Sequence, residues 1–279
     1  MPELPEVETV VRSIAPKITG KTIRHISLSS KRVTRGGLPE TTAALQGRTI
    51  ERVRRHGKQI FFHLDRGVVY VHLGMTGKLL WNGERTPYTR AEFTFDHGML
   101  LYDDVRQFGR VEYYQELPKR IEGVGPDALS ISFDDFYARL KQHRTAIKPL
   151  LLNQSFIAGV GNIYADEALW RARTHWAKEA SSLRRADAGR ILAAVREVLA
   201  EALQAGGTSF DSLYVNVNGE SGYFGRSLAV YGREGEPCPR CGAPVRRDPF
   251  MNRSSYTCPV CQPRPRSRRG GRDLRSRST

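Results

Sequence analysis

The chain has 279 residues, which is long enough for two domains and a small additional module. Lysine and arginine total 44 against 29 aspartates and glutamates, and the resulting net charge of +15 favours a polyanionic partner such as nucleic acid or an acidic membrane surface. No run approaches the roughly 18 apolar residues of a membrane span, and the start lacks a basic region followed by an apolar stretch, so neither an integral membrane protein nor a secreted one is expected.

The first predicted element is a helix over residues 5–18, which begins very close to the N-terminus. Its apolar residues recur at helical spacing, with Pro5 at the first helical position. Removal of Met1 would leave Pro2 with a secondary amine held against the fold. Because the reference pKa of an α-amino group is about 7.7 to 8, part of it is neutral near pH 7 and able to attack a sugar C1′. Glu3 could exchange the protons that this chemistry needs, or the acidic residues here could only complement a helix dipole.

Up to about residue 131 the sequence is then mostly a series of short strands. The segments are rich in β-branched and aromatic residues and are separated by glycine, aspartate or asparagine, at residues 22–28, 49–53, 59–64, 68–73, 91–95, 99–102 and 111–114. This spacing predicts a β-sandwich or barrel. The glycine-rich segment 123–127 follows as a linker.

From Phe133 onward the pattern changes to helical periodicity. Helices are predicted at residues 134–142, 147–152, 164–172 and 186–205, the last with one apolar stripe that contains Ile191, Val195, Val198, Leu199 and Ala202. The second domain is therefore predicted to be helical. The glycine, asparagine and serine content of residues 215–225 predicts a loop between this domain and the C-terminal module.

All four cysteines of the chain lie in one short stretch near its C-terminus. Cys238 and Cys241 form one CxxC pair and Cys258 and Cys261 the other, with 16 residues between them that suffice for a β-hairpin. Two disulfides are the alternative, but a cytosolic chain has no route to an oxidising compartment, which favours one Zn²⁺. A site with four cysteine ligands has no open coordination position, so this zinc is expected to be structural.

The last residues form an arginine-rich tail. Between Gln262 and Thr279 there are seven arginines and one aspartate, in a context of proline, serine and glycine. Such a composition cannot bury a core, so the tail is expected to be disordered. The folded part remains basic without it.

Five motifs closely resemble the bacterial formamidopyrimidine-DNA glycosylase family, which excises oxidised purines such as 8-oxoguanine. They read PELPEVETV from Pro2, HLGMTG from His72, DVRQFG from Asp104, IAGVGNIYADEALW from Ile157, and YGREGEPC from Tyr231 with the cysteine hairpin. The resemblance runs in order from residue 2 to about residue 262. It implies an α+β multidomain fold: a β-sandwich with an N-terminal helix, a helix-two-turns-helix domain and a zinc-finger β-hairpin.

The resemblance also implies the catalytic residues. Pro2 would be the nucleophile, Glu3 the proton shuttle and Glu6 their support. Lys58 matches the family lysine that contacts the phosphates flanking the lesion, although without the motif it would be an ordinary exposed turn lysine. A cation there offsets the repulsion between phosphates that are compressed when a nucleotide is flipped out of the duplex.

Six further residues match family positions that contact DNA. Met75, Arg106 and Phe108 would enter the space left by the flipped base, with Arg106 bonded to the partner base, expected to be cytosine. Outside the motifs, a methionine and a phenylalanine here would more often be core residues. Asn162, together with the amides at a helix start, and Arg253 would contact phosphates, and Lys148 would contact a phosphate or a base.

Two positions in the DVRQFG segment depart from the family pattern. Val105 stands where proline is usual and Gln107 where a second basic residue is common. These differences put the rigidity of the loop and one ancillary phosphate contact in doubt.

The resemblance therefore predicts a bifunctional glycosylase and apurinic/apyrimidinic-site lyase acting as a monomer on damaged double-stranded DNA, without membrane contact. Expected domains are residues 1–131, 132–229 and 230–262, followed by the tail 263–279. The expected location is the cytoplasm of a bacterium, in association with the nucleoid. The main alternative is an endonuclease VIII-like glycosylase for oxidised pyrimidines. A zinc-hairpin regulator and a membrane-surface protein are the non-enzymatic alternatives, and neither explains a proline placed before an acidic helix start.

Overall fold

The computed structural model describes residues 2–35, 38–207 and 227–265. Its first part contains eight strands among these residues: β1 His25–Leu28, β2 Ile50–His56, β3 Gln59–Leu64, β4 Val68–His72, β5 Lys78–Trp81, β6 Thr89–Thr94, β7 Met99–Asp103 and β8 Arg110–Tyr114. They form two antiparallel sheets of four strands, in the orders β1-β6-β7-β5 and β2-β3-β4-β8. The predicted sandwich is therefore confirmed.

Helix α1, Leu4–Ile18, connects the sandwich to the rest of the molecule. Val7, Val10, Val11, Ile14 and Ile18 lie in the core of the sandwich. Leu4, one turn earlier, lies in the core of the helical domain instead. The residues just before α1 are thereby fixed at the junction of the two domains.

The first part also contains three short helices: α2 Lys31–Thr34, α3 Leu38–Leu45 and α4 Lys119–Glu122. The helical domain then comprises α5 Phe133–Lys141, α6 Ile147–Leu152, α7 Asn162–Arg171 and α8 Arg185–Gln204, with a 3-10 turn at Ala180–Ser182. Every residue of the predicted apolar stripe of α8 is buried, as the periodicity required. None of the described helices has both the length and the apolar composition needed to cross a bilayer.

The C-terminal module is a hairpin of β9 Arg246–Phe250 and β10 Arg253–Thr257. Phe250 pairs with Arg253, so Met251 and Asn252 alone form the turn. Both have positive φ, 41° and 58°, as a two-residue type I′ turn requires. This turn places Arg253 at the tip of the hairpin.

Several details differ from the sequence-based expectation. Strand β5 and helices α2, α3 and α4 were not predicted, because they are four to eight residues long and have no clear period. The first predicted strand begins at His25 and not at residue 22; Thr22 only bridges Thr49. Helix α1 begins at Leu4, so Pro5 is its second residue.

Candidate active site and DNA interface

Pro2 and Glu3 lie buried where the sandwich meets the helical domain. The Leu4 amide donates to the Gly159 carbonyl oxygen at 3.1 Å, which ties the start of α1 to the turn before α7. Glu3 is 2% exposed, and its carboxylate accepts the amides of Ile163 at 3.0 Å and Tyr164 at 3.5 Å. Glu3 is also the N-cap residue of α1, where its side chain and that of Glu6 form a capping box. Its carboxylate thus complements the N-terminus of α7 as well as that of its own helix.

The environment of Glu3 favours its protonated form. Burial raises its pKa, and the charge of Glu6 adds to this, while Lys58 and the two amides act in the opposite direction. Glu6 holds the main chain in place: its Oε2 accepts the Glu3 amide at 2.8 Å and its Oε1 accepts the Tyr164 hydroxyl at 2.5 Å. A carboxyl group poised to hold or release a proton is therefore fixed beside Pro2.

Lys58 is not an ordinary exposed turn lysine, since it is only 9% exposed. Burial lowers its pKa, Glu3 and Glu6 raise it, and Arg253 lowers it further. These influences show that the structure gathers Lys58, both carboxylates and Arg253 around one site. These four residues come from three separate parts of the chain.

The turn that carries Lys58 is pressed against the helical domain. Gly57 has φ +56°, and a Cβ there would lie 2.7 Å from the Cβ of Ala158, so only glycine fits. Asp127 accepts the Gly57 amide at 2.9 Å and Arg55 Nη1 at 2.5 Å. The predicted linker around residue 127 is therefore a fixed connection that positions the lysine.

Met75, Arg106 and Phe108 lie on two loops at the end of the sandwich. Phe108 is 43% exposed, which is unusual for phenylalanine, and the guanidinium carbon of Arg106 lies 4.9 Å from its ring centre. Buried Asp104 links the loops, accepting the Thr76 hydroxyl at 2.5 Å and the Gly109 amide at 2.8 Å. An exposed aromatic ring on a braced loop is suited to act as a wedge.

Val105 and Gln107 are the two residues of this loop that depart from the family pattern. Val105 is 46% exposed, and Gln107 has a φ of 53°. The Gln107 side-chain oxygen accepts the Ser30 hydroxyl at 2.7 Å, and the guanidinium of Arg32 lies 5.3 Å from the Phe108 ring centre. Hydrogen bonding thus fixes the loop although proline is absent.

Asn162 and Arg253 face the same region from the helical domain and the hairpin. Asn162 is the first residue of α7, and its side-chain amide donates to the Ser254 carbonyl oxygen at 3.2 Å. Arg253 is exposed at the hairpin tip. The phosphate contacts expected of both residues stay predictions.

Lys148 differs from what a DNA contact would require. Its side chain is wholly buried, and its ammonium forms an ion pair with Asp166 at 2.8 Å. It also donates to the Ser254 carbonyl oxygen at 3.2 Å. Its DNA contact stays a prediction, and in this structure the ammonium is directed into the protein.

The four cysteines form a metal site. Their sulfur atoms all lie within 4.8 Å of one another, compared with about 3.8 Å between ligands at Zn–S distances of about 2.3 Å. Several N–H groups point at the sulfurs; among them, Trp170 Nε1 lies 3.3 Å from Cys238 Sγ, and the Cys261 amide lies 3.4 Å from Cys258 Sγ. Such donors compensate thiolate charge, so these residues fit a tetrahedral zinc ion. All four cysteines are free, without a disulfide.

Sequence reasoning did not single out His72 or Asp166. Burial, together with Lys58 and Arg110, lowers the pKa of His72 to about 4, so the ring is neutral near pH 7. Its Nδ1 accepts the Gly74 amide at 3.0 Å, which places the proton on Nε2. His72 opens the HLGMTG motif and Asp166 lies within IAGVGNIYADEALW, so the motifs were a signal that could have found both residues.

Two predicted features lie outside the described residues. The lesion-reading loop at residues 215–225 falls within the gap 208–226, and all but three residues of the tail follow residue 265. Both stay expectations from the sequence.

Pro2 is buried beside a carboxyl group, with Lys58 and Arg253 nearby and a four-cysteine hairpin in the same molecule, and this combination is that of an enzyme that acts on DNA. Family models match in the same order: the formamidopyrimidine-DNA glycosylase N-terminal domain at residues 1–111, its H2TH domain at 123–213, and the zinc finger found in FPG and IleRS at 235–264. The chain belongs to the formamidopyrimidine-DNA glycosylase family. The four cysteines are the ligands of its single structural zinc.

Individual relatives cover nearly the whole chain. It is 51% identical to the formamidopyrimidine-DNA glycosylase of Solibacter usitatus, over 95% of this chain and 100% of the relative, and 48% identical to that of Acidothermus cellulolyticus, over 95% and 99%. The crystal structure of MutM (Fpg) from Thermus thermophilus has a TM-score of 0.85 at 41% identity, covering 94% of this chain and 98% of that one. The Lactococcus lactis Fpg in complex with abasic-site DNA has a TM-score of 0.86 at 34% identity, covering 94% and 100%.

Proposed function

We propose that the protein is a bifunctional DNA glycosylase and apurinic/apyrimidinic-site lyase of base excision repair, which removes 8-oxoguanine and formamidopyrimidines from duplex DNA. The observation that supports it best is the burial of Pro2 and Glu3 beside Lys58 at the domain junction. A Lactococcus lactis Fpg variant has been solved with DNA containing Fapy-dG, a lesion of this class. The partner is accordingly damaged double-stranded DNA.

The reaction begins once Met1 is removed and the Pro2 amine is neutral. Its nitrogen attacks C1′ and the bond from C1′ to the base breaks. The nitrogen gives up its N–H proton, which balances the proton that the departing base gains. Opening of the sugar ring then requires a proton on O4′ and produces an iminium ion between Pro2 and C1′. Burial has raised the pKa of Glu3, so its carboxyl group can supply that proton.

Strand cleavage follows from the iminium ion, which makes the C2′ protons acidic. Loss of one C2′ proton expels the 3′ phosphate, which is β-elimination, and a second elimination expels the 5′ phosphate. Glu3, as the carboxylate left by the first step, and Lys58, whose pKa burial lowers, are the groups placed to move these protons. The Pro2 amine attacks C1′ itself, so no activated water is needed to displace the base.

Recognition of damaged DNA uses cationic side chains for the phosphate backbone and apolar side chains for the space left by the flipped base. Lys58 and Arg253 together raise the local positive charge where flipping brings phosphates close. Phe108 and Met75 replace part of the lost stacking, and Arg106, beside Phe108, bonds the partner cytosine.

Endonuclease VIII-like activity on oxidised pyrimidines is the alternative. Single-turnover excision from matched duplexes with 8-oxoguanine opposite cytosine or with thymine glycol, an oxidised pyrimidine, distinguishes the two. We expect the purine lesion to be removed faster, and Arg106→Ala should lose most of the preference for cytosine as the opposite base. Faster removal of thymine glycol would establish the alternative.

We further propose that the domains divide after residues 131, 229 and 262 and that the protein works as a monomer in the bacterial cytoplasm, associated with the nucleoid. The cores support a division into these two domains, since the sandwich and the helical domain each bury their own cluster of apolar residues. Ala128 and Ile131, just before the proposed boundary, belong to the helical-domain cluster.

A further inference from the structure

A buried polar cluster joins the helical domain to the zinc hairpin. Lys148 on α6 and Asp166 on α7 are 0% and 1% exposed, and their ion pair measures 2.8 Å. Asp166 has two more partners, both on β10: its Oδ1 accepts the Ser255 hydroxyl at 3.0 Å and its Oδ2 accepts the Tyr256 amide at 3.0 Å. One carboxylate therefore connects both helices to the hairpin strand.

The same cluster fixes the carbonyl group of Ser254. Its oxygen accepts Lys148 Nζ at 3.2 Å and Asn162 Nδ2 at 3.2 Å, so both lone pairs are used. Arg253 immediately precedes this carbonyl in the chain. The orientation of the Arg253 main chain is thus set from one side by the hairpin turn and from the other by Lys148 and Asn162.

The buried ammonium of Lys148 depends on the negative charge of Asp166. Asp166 faces Lys148, and Lys148 is also influenced by Glu3 and Arg253. Removing the carboxylate alone would leave an ammonium buried without its counter-charge, which is strongly unfavourable. The ammonium would then turn towards solvent and release the Ser254 carbonyl.

We propose that Asp166 is a positioning residue for DNA binding, which acts through Lys148 and the Ser254 carbonyl to hold Arg253 against a phosphate beside the lesion. This rests on the proposed function, because the phosphate contact of Arg253 belongs to it. Lys148 then serves DNA binding from inside the protein, without touching DNA.

The test is a double-mutant cycle on the zinc-loaded full chain with Asp166→Asn, Arg253→Gln and the double variant. Affinity for a duplex with a stable abasic-site analogue is measured at several salt concentrations. Arg253→Gln should weaken binding about tenfold or more and reduce the slope of log K against log salt by about 0.9. Asp166→Asn should reproduce most of both changes, and the double variant should bind no more weakly than Arg253→Gln alone.

Glu167→Gln is the matched control. Glu167 is the next residue of α7, is 2% exposed, and accepts the amides of Ala229, Val230 and Tyr231 at 2.9 Å each, so it holds a different segment. Its effect should add to that of Arg253→Gln. If Asp166→Asn does not fold, the pair Lys148→Met with Asp166→Leu removes both charges at similar volume. This pair should likewise weaken binding, and adding it to Arg253→Gln should cause no further loss.

The outcomes distinguish the positioning role of Asp166 from the phosphate contact of Arg253. Full additivity of Asp166→Asn and Arg253→Gln overturns the positioning role while leaving the Arg253 contact intact. Unchanged affinity and salt slope in Arg253→Gln overturn the contact and, with it, the inference. An equal zinc content in all variants excludes loss of the metal as the cause.

Discussion

The substitution Gly161→Ala should move the Glu3 carboxylate without changing its chemical group. A Cβ at Gly161 would lie 2.2 Å from Cδ of Glu3 and 2.4 Å from its Oε1. Gly161 has φ −130°, which alanine adopts freely, so Gly161→Ala strains no backbone. Because packed carbon atoms approach to about 3.5 Å, the carboxylate must move by about 1 Å. A displacement of this size at a reacting group costs on the order of 10²-fold in rate.

Single-turnover excision at saturating enzyme measures this rate without a contribution from binding. Gly161→Ala should excise about 10²-fold more slowly, and adding it to Glu3→Gln should cause no further loss, because both changes act on the same carboxylate. Gly189→Ala is the control, since a Cβ there meets only Phe133 at 3.6 Å. A Gly161→Ala enzyme that folds normally and excises at the wild-type rate would refute the placement of Glu3 in the reaction.

Three further predictions concern the metal, the tail and pH. Cys241→Ser should release zinc and weaken DNA binding by unfolding the hairpin locally, with the melting of the sandwich unchanged; metal analysis and titration test this, and zinc-free protein with normal affinity would contradict it. Truncation after Gln262 keeps the Gln262 side chain, which accepts the Cys258 amide and donates to the Thr174 carbonyl oxygen, each at 2.9 Å. The truncation should leave single-turnover chemistry intact but make the slope of log K against log salt on undamaged duplex shallower. The change should be about 0.9 for each phosphate that the tail neutralises in the full-length protein. Identical slopes would show that the tail does not bind. The pKa of His72 is lowered to about 4 from an unfolded value of about 6.5, so the stability it contributes is present above about pH 6.5 and is lost as the pH falls towards 4. In denaturant titrations, His72→Gln should therefore lose about 1 kcal/mol less stability than the wild type between pH 7 and 5.5. Equal losses would argue against a ring that stays neutral in the folded protein.

Local patterns predicted the parts of the fold that local physics determines. Helix α6 has the predicted bounds, Ile147–Leu152, and α8 is displaced by one residue, because an apolar stripe with a 3.6-residue period specifies a helix and its buried face together. Strand β5, Lys78–Trp81, has no such signal in four residues.

The site residues that were harder to interpret depend on contacts distant in sequence. Lys58 is buried because its turn packs against Ala158, about 100 residues away in the chain. Lys148 is withdrawn from solvent by Asp166, and Asp166 acts on a hairpin that lies about 90 residues further on. Neither partnership leaves a mark in the neighbouring sequence, so the resemblance could indicate these lysines but not their environments.

The central claim, that the Pro2 amine forms the covalent intermediate, is tested most directly by borohydride trapping on duplex DNA containing 8-oxoguanine. Reduction should give a stable protein–DNA adduct that mass spectrometry of the digested protein locates on the N-terminal peptide at Pro2. Protein that retains Met1 should bind the same duplex and form no adduct, and Pro2→Gly should be crippled in excision. An adduct located on Lys58 or another lysine, or trapping by the Met1-retaining protein, would contradict the account.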